Sequence, residues 1–174
     1  MTNPRTSLSK VWLVFLFVLV GTGGCQVAEK KEVAVLEDYE NHPDNVWITN
    51  EKVHSGNWAC KITPQNVYGP GITRSWELLG HPTRLRVSAW VIMPHGRATA
   101  ALVVEAKRDN ATIYYRLLPI EQVVKRYNQW EQVYDTFTLP ETMAPTDVVK
   151  VYLWQIGEKR NTIYMDDLML ETLF

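Results

Sequence analysis

Short runs of alternating or wholly apolar residues, separated by turn-forming residues, fill the chain from Val33 onwards. The clearest run is Arg84–Met93, and two further runs, Thr99–Lys107 and Thr112–Leu118, are separated by a short polar turn. Only Pro119–Arg126 is typical of a helix, with proline where the first turn would begin. Many short strands without intervening helices are typical of a sandwich. The sequence therefore predicts an all-β fold: a two-sheet antiparallel β-sandwich of the jelly-roll type, with at most one short helix after the N-terminal segment.

The first residues have the order of an export signal. Arg5 and Lys10 precede the apolar run Val11–Val20, and small residues then lead to Cys25. This run is too short for a membrane-spanning helix, which needs about 20 apolar residues. Small residues directly before a cysteine resemble the lipobox of bacterial lipoproteins, although Thr22 stands where that motif prefers leucine. The alternative is an ordinary signal peptide followed by an unrelated cysteine.

The lipobox resemblance divides the chain into three parts. It implies a signal peptide at 1–24, a polar tether at 25–32 that begins with the lipidated Cys25, and a jelly-roll domain at 33–174. A cysteine that carries several acyl chains, such as palmitate, anchors a protein stably to a membrane. We expect the bacterial cell envelope, and the outer membrane in particular, because Gln26 is not an acidic retention signal. The leaflet stays open.

The charge of the exported chain gives no indication of a polyanionic partner. Removing residues 1–24 takes Arg5 and Lys10 from 18 basic residues and nothing from 19 acidic ones, which leaves a net charge of −3. Proteins that bind nucleic acid carry a basic face, and none is visible here. We expect no nucleic acid partner.

The sequence lacks the motifs of an enzyme. It contains no G-x-S-x-G elbow and no phosphate-binding loop, and its four histidines lie singly in turn-rich regions. Cys60 alternates with apolar residues, which predicts a small buried side chain rather than a nucleophile. Two carboxylates can hydrolyse a glycosidic bond, and Glu105 with Glu131 or Asp135 is the pair to consider. The prediction is a protein without catalysis of its own.

Alternation within Arg84–Met93 separates two faces of one strand. Its odd positions are all apolar and predict a buried face, whereas Arg86, Ser88 and Trp90 share the other side. An indole on a wetter face can stack on the C–H face of a sugar, while polar neighbours bond its hydroxyl groups. The residues predicted to share this ligand-binding face are Trp90, Glu105, Tyr114, Arg116, Tyr152 and Trp154. The alternative is that the short helix or a loop covers this face, which makes Trp90 part of a second core.

Taken together, the runs resemble carbohydrate-binding modules with a galactose-binding-like jelly-roll fold. The segments that carry the resemblance are Asp38–Glu40, Val53–Ile62, Leu85–Met93, Trp130–Pro140 and Ile163–Glu171. The resemblance implies binding of a β-linked polysaccharide on the concave sheet, through a ring such as Trp90. It also implies a structural Ca²⁺ where the first and last strands meet, with Glu40 and Asp166 or Asp167 as ligands. The alternative is that Asp166 and Asp167 cap a turn or bulge.

Two functions remain in view. The first is non-catalytic glycan binding by a lipid-anchored envelope protein, with membrane attachment through the lipid. The second is a protein–protein or structural module of an envelope complex, because exposed aromatic residues also anchor interfaces. Modules of this kind usually accompany a catalytic domain, and none is recognisable in this sequence, so the fold alone does not decide between the two functions.

Overall fold

The computed structural model describes residues 32–41, 45–157 and 161–174. The signal peptide at 1–24, Cys25 and nearly all of the tether lie outside these ranges. Ten strands and one helix are described: β1 (Ala34–Glu37), β2 (Ile48–Thr49), β3 (Ala59–Ile62), β4 (Ile72–Ser75), β5 (Arg84–Ile92), β6 (Ala100–Arg108), β7 (Ala111–Pro119), α1 (Ile120–Val123), β8 (Glu131–Thr138), β9 (Val148–Gln155) and β10 (Ile163–Leu173). Within the described residues, no helix has the length and hydrophobicity needed to span a membrane.

The strands form two antiparallel sheets, which confirms the predicted all-β sandwich with at most one short helix. The six-stranded sheet has the order β2-β3-β10-β5-β8, with β1 paired to β10 beside it. The four-stranded sheet has the order β4-β9-β6-β7. The two-residue strand β2 lies in a segment for which the sequence predicted no strand, because Ile48 and Thr49 are too short a run to show a period.

The core lies between the two sheets and follows the predicted alternation. Leu85, Val87, Ala89, Val91 and Met93 are fully buried from the β5 side. They meet a matching set from the four-stranded sheet: Leu102, Val104 and Ala106 of β6 and Val149, Val151 and Leu153 of β9. Complete burial of a Val or Leu side chain contributes about 1.5–3 kcal/mol, so this interface holds the sandwich together.

Strand β10 has an irregularity near the point where its pairing partner along one edge changes. Its first half pairs with β3 and its second half pairs with β1. Between Asp166 and Met169 the register with β5 shifts by a bulge, and Asp167 adopts a left-handed φ of 47°. A bulge accommodates an extra residue by bending the strand. The alternative prediction of a bulge at Asp166 and Asp167 is confirmed.

A tight hairpin joins β6 to β7 at the edge of the four-stranded sheet. Its two turn residues, Asp109 and Asn110, have φ values of 48° and 67°. Two consecutive left-handed residues make the turn whose twist matches paired strands, and Asp and Asn tolerate that conformation well. The register between β6 and β7 shifts once, between Ala106 and Lys107, so Ile113 is the extra residue of β7.

Candidate functional site

The six residues predicted to share a ligand-binding face lie on two different sheets. Trp90 belongs to β5 in the six-stranded sheet, whereas the other five residues belong to β6, β7 and β9 in the four-stranded sheet. The outer faces of these sheets point in opposite directions, since the core lies between them. The prediction of a single shared face is therefore wrong. The alternation predicted correctly that Trp90 lies on the outer side of β5, but it carries no information on which sheet a strand joins.

A loop covers the outward ring of Trp90. The imidazole of His54 stacks on it with ring centroids 4.0 Å apart and an interplanar angle of 15°. Trp130 meets the same imidazole edge-on at 5.7 Å. The indole of Trp130 donates a hydrogen bond to the carbonyl oxygen of Val53, which ties the loop down. Trp90 thus lies in a small aromatic cluster outside the main core, as the alternative interpretation expected.

The predicted side is also wrong for Tyr114 and Arg116. Arg116 lies opposite Val104 and Tyr114 opposite Ala106, both of which are core residues, so these side chains are on the sandwich-facing side of β7. Tyr115 instead lies opposite Glu105 on the outer face. The apolar odd positions of β7 suggested a buried side, but β7 is an edge strand and Tyr115 is 37% exposed.

Four aromatic rings and one carboxylate gather on the outer face of the four-stranded sheet. Tyr115 lies beside Glu105, and Tyr152 and Trp154 follow two residues apart on β9. Tyr68 joins them through an isolated bridge to Trp154. The Tyr68 ring lies 6.1 Å from that of Tyr152 at 61°. We call this set the aromatic groove. It contains Glu105, Tyr152 and Trp154 of the predicted residues.

The segment 67–71 brings Tyr68 to this face by continuing the sheet beyond β4. The backbone N–H of Gln155 donates to the carbonyl of Val67, and that of Gly69 donates to the carbonyl of Leu153. A Cβ atom on Gly71 would lie 2.0 Å from the carbonyl oxygen of Val151. Only glycine permits so close an approach of two backbones. Gly71 therefore holds the segment against β9 and fixes the position of Tyr68.

A cavity of about 290 Å³ opens beside these rings. Tyr68, Tyr152, Glu105 and Lys150 line it. Glu105 is only 8% exposed, and its Oε1 accepts a hydrogen bond of 2.6 Å from the hydroxyl of Thr112. The site thus has the two components of a small-molecule site: apolar rings and a few fixed polar groups.

Tyr115 and Tyr152 of the groove stay protonated at neutral pH. Burial, followed by the nearby charge of Glu105, raises the pKa of Tyr152 to about 12. Burial likewise raises the pKa of Tyr115. A neutral phenol both donates and accepts a hydrogen bond, as a sugar hydroxyl does. The indole Nε1 of Trp154 is buried and has no hydrogen-bond partner among the described residues.

Sequence reasoning missed Tyr68 and Tyr115. Tyr68 lies in a Tyr-Gly-Pro-Gly segment, which indicates a turn and not a surface for a ligand. An aromatic residue directly before two turn glycines was the available signal, because a purely connecting turn has no need of a large ring. Tyr115 was placed on the wrong side because the bulge at Ile113 is not visible in the alternation of β7.

The residues predicted to bind Ca²⁺ hold the loop 53–58 instead. Glu40 accepts hydrogen bonds from the backbone N–H groups of Asn57 and Trp58 at 2.7 and 2.8 Å. These bonds lower the pKa of Glu40, with burial opposing them. A Cβ atom on Gly56, which has a φ of 64°, would lie 2.4 Å from Glu40 Oε1, so the loop closes tightly around this carboxylate.

The two aspartates of β10 hold the preceding part of the same loop. Asp166 is fully buried, and its Oδ2 accepts from the backbone N–H groups of His54 and Ser55. Burial raises its pKa, although these hydrogen bonds oppose the rise. Asp167 accepts from the Ser55 hydroxyl, and its Oδ2 lies 2.6 Å from His54 Nδ1. We call Glu40, Asp166 and Asp167 the loop clamp.

The loop clamp does not fit a calcium ion. Calcium requires six to eight oxygen ligands. Here every carboxylate oxygen of Glu40, Asp166 and Asp167 lies next to a protein N–H, O–H or imidazole group. Within the described ranges, His, Cys, Asp and Glu side chains form no group of three or more that could hold a metal ion.

The carboxylate pairs considered for glycoside hydrolysis are separated by the sandwich. Glu131 and Asp135 belong to β8 of the six-stranded sheet, whereas Glu105 belongs to the four-stranded sheet. Glu131 also accepts hydrogen bonds from the backbone N–H groups of Lys125 and Arg126. Cys60 is fully buried and burial raises its pKa, as expected for a structural thiol.

The sandwich has counterparts among solved structures. A family 22 carbohydrate-binding module of Clostridium thermocellum Xyn10B aligns with a TM-score of 0.51 at 11% identity, over 79% of this chain and 91% of its own. The xylan-binding domain CBM22-2 of Paenibacillus barcinonensis Xyn10C aligns with a TM-score of 0.50 at 16% identity, over 79% and 98%. A family 16 carbohydrate-binding module gives 0.51 at 16% identity, over 76% and 94%.

This chain has the fold of the carbohydrate-binding modules. The likeness confirms the resemblance stated from the sequence, and at these identities it concerns the fold. No protein-family model and no curated protein matches the sequence. The carbohydrate-binding modules of families 22 and 16 are thus its structural counterparts, and the function of the groove has to be argued from its own residues.

Proposed function

We propose that the aromatic groove binds a polysaccharide without cleaving it. The observation that carries this proposal is the gathering of Tyr68, Tyr115, Tyr152 and Trp154 around Glu105 on one outer sheet face. Large aromatic rings are often buried in a core, yet Tyr68 is 53% exposed. A row of rings along one sheet suits an extended chain of sugars.

The groove offers both kinds of contact that a sugar chain uses. The faces of Tyr and Trp rings match the C–H face of a pyranose, and the phenol groups bond its hydroxyls. Glu105, held by Thr112, is a fixed acceptor for a sugar hydroxyl. The named functions of the structural counterparts, which include xylan binding, support the same assignment.

The absence of catalysis is part of the proposal. Hydrolysis requires two carboxylates about 5–10 Å apart on either side of the scissile bond. On the strands of the four-stranded sheet, Glu105 is the one carboxylate that lines the groove cavity. A second carboxylate is lacking among the described residues that line the cavity, so binding is the chemistry that this site supports.

Affinity gel electrophoresis tests the proposal. The described domain is run through gels that contain soluble xylan, mixed-linkage glucan, galactomannan or polygalacturonate, beside a gel without polymer. We expect retardation by at least one polymer, and loss of it in Tyr152→Ala. Tyr134→Ala is the matched control, because Tyr134 is 61% exposed on the other sheet. Equal mobility in every gel, or equal loss in both variants, contradicts the proposal.

The proposal includes a lipid anchor at Cys25, with the protein held in the bacterial envelope and the outer membrane as the expected site. It rests on the charged start, the apolar run and the small residues before Cys25. Labelling cells with a palmitate analogue tests it. We expect label in the wild type and in Cys60→Ser, and none in Cys25→Ser. Label that persists in Cys25→Ser contradicts the anchor and leaves the groove proposal untouched.

A further inference from the structure

One cation of the groove has no anionic partner in the part of the chain that the structure describes. Lys150 lines the cavity beside Tyr68 and Tyr152. It lies opposite Glu105 across β6 and β9, yet its side chain has no hydrogen-bond or ion-pair partner among the described residues. Its side chain is half-buried, so part of its hydration is already lost. An ammonium in this position gains more from a bound anion than one in open solvent.

The nearest carboxylate is already engaged. Glu105 Oε1 lies 3.4 Å from Nζ of Lys107 and accepts the hydrogen bond from Thr112. Lys107 and Glu105 therefore balance each other, and Lys150 is the remaining charge on this face. The residues of β4 and β7 that face the same way are uncharged: Thr73, Ser75, Tyr115 and Leu117. The groove thus carries one net positive charge in a domain that is acidic overall.

We propose that Lys150 selects polysaccharides that carry carboxylate groups, that is, uronate residues, over their neutral counterparts. The inference rests on the proposed function, because the rings bind the sugar chain and Lys150 adds a pairing with the uronate carboxylate. The chain stacks along Tyr68 and Tyr152 while its carboxylate reaches Nζ of Lys150. A neutral chain keeps the stacking and lacks the ion pair.

The test compares each acidic polymer with itself after its carboxyl groups are reduced to alcohols. Glucuronoxylan, polygalacturonate and alginate serve as probes, native and carboxyl-reduced, with the dissociation constant measured by calorimetry at low and at high salt. Lys150→Met removes the charge and keeps the aliphatic stem. Lys125→Met is the matched control, because Lys125 is an exposed lysine that follows the short helix, outside the groove.

For the polymer that binds, we expect wild type and Lys150→Met to differ in their preference for the native over the carboxyl-reduced form. Wild type and Lys125→Met should bind the native form about threefold more tightly or better than the reduced form, the size expected for a partly exposed ion pair. High salt should remove this preference, because it screens the pair. Lys150→Met should bind both forms equally and as the wild type binds the reduced form.

Three outcomes overturn the inference, and they are distinguishable. If wild type binds native and reduced polymers equally, the groove binds glycan but Lys150 does not select charge. If Lys150→Met keeps the preference, another cation is responsible. If no polymer binds in either form, the proposed function fails, and the inference fails with it.

Discussion

The ring of Tyr68 lies parallel to that of Trp154, with centroids 5.9 Å apart and an interplanar angle of 8°. This contact joins the segment before β4 to the end of β9. The isolated bridge between the two residues extends the sheet alongside β9, beyond the first residue of β4. The indole of Trp154 faces one side of Tyr68 while Tyr152 meets it at an angle. The groove therefore depends on a turn segment and a strand that are far apart in sequence.

Gly71→Ala should disturb the groove through this segment. The added Cβ meets the Val151 carbonyl oxygen at 2.0 Å and the Tyr152 Cα at 3.0 Å, so one backbone must move. Because both contacts are backbone atoms, we expect about 1–3 kcal/mol lower free energy of unfolding in urea, and weaker polysaccharide binding as Tyr68 shifts.

Gly96→Ala is the control for this substitution. Its Cβ would meet the hydroxyl end of Tyr127, which is 40% exposed and free to move aside. We expect its unfolding free energy and its binding to match those of the wild type. Equal effects of both alanines would show that the position of Tyr68 does not depend on Gly71.

Adjacent tyrosines on β7 provide a test of which side of the strand binds. Tyr115 faces the groove, whereas Tyr114 packs against the core from the opposite side. Tyr115→Ala should weaken binding about three- to tenfold, the effect of losing one ring contact. Tyr114→Ala should leave the affinity unchanged and lower the unfolding midpoint. Calorimetry and thermal unfolding measure the two effects. The reverse pattern would mean that the polysaccharide binds to the opposite face of β7 and not to the groove.

Arg108 and Asp147 form the ion pair with the clearest pH signature. Asp147 is fully buried and accepts from Nε and from a terminal nitrogen of Arg108, both at 2.8 Å. The hydrogen bond from Arg108 lowers the pKa of Asp147, with burial opposing it. A carboxyl whose pKa is lowered by folding stabilises the protein above its ordinary pKa, and that contribution disappears as the pH falls towards the lower value.

Asp147→Asn should therefore cost about 1–2 kcal/mol at neutral pH, a modest figure because the Arg108 side chain is 41% exposed. The difference in unfolding free energy between wild type and variant should stay constant near neutrality and shrink below about pH 4. Urea unfolding across this range measures it. A difference that grows as the pH falls would contradict the assigned pairing.

The loop clamp predicts that calcium does not stabilise the domain. Thermal unfolding midpoints in EDTA and in millimolar CaCl₂ should agree, since the oxygens of Glu40, Asp166 and Asp167 already meet protein donors. Glu40→Gln should lower the midpoint in both conditions, because the backbone N–H groups of Asn57 and Trp58 then donate to a neutral amide oxygen and not to a charged carboxylate. A midpoint that rises with calcium in the wild type and not in Glu40→Gln would restore the metal site.

The strand pattern was predictable because a strand that is buried on one side has apolar residues at every second position of its sequence. It placed Leu85 to Met93 in the core and Trp90 outside it. The assignment of strands to sheets was not predictable, since period two is the same in both sheets. Local alternation also cannot show the bulge at Ile113 or the contribution of a turn residue such as Tyr68, because both depend on pairing across the chain.

The most direct measurement of the central claim is an amide NMR titration with an oligosaccharide of the polymer that retards the domain in the gel. The account predicts shifts that cluster on the groove, at residues 67–69, Gly71, Glu105, Tyr115, Tyr152 and the indole N–H of Trp154. Trp90 and Tyr134 on the opposite sheet should stay unchanged. Shifts confined to the six-stranded sheet, around Trp90 and His54, would contradict it.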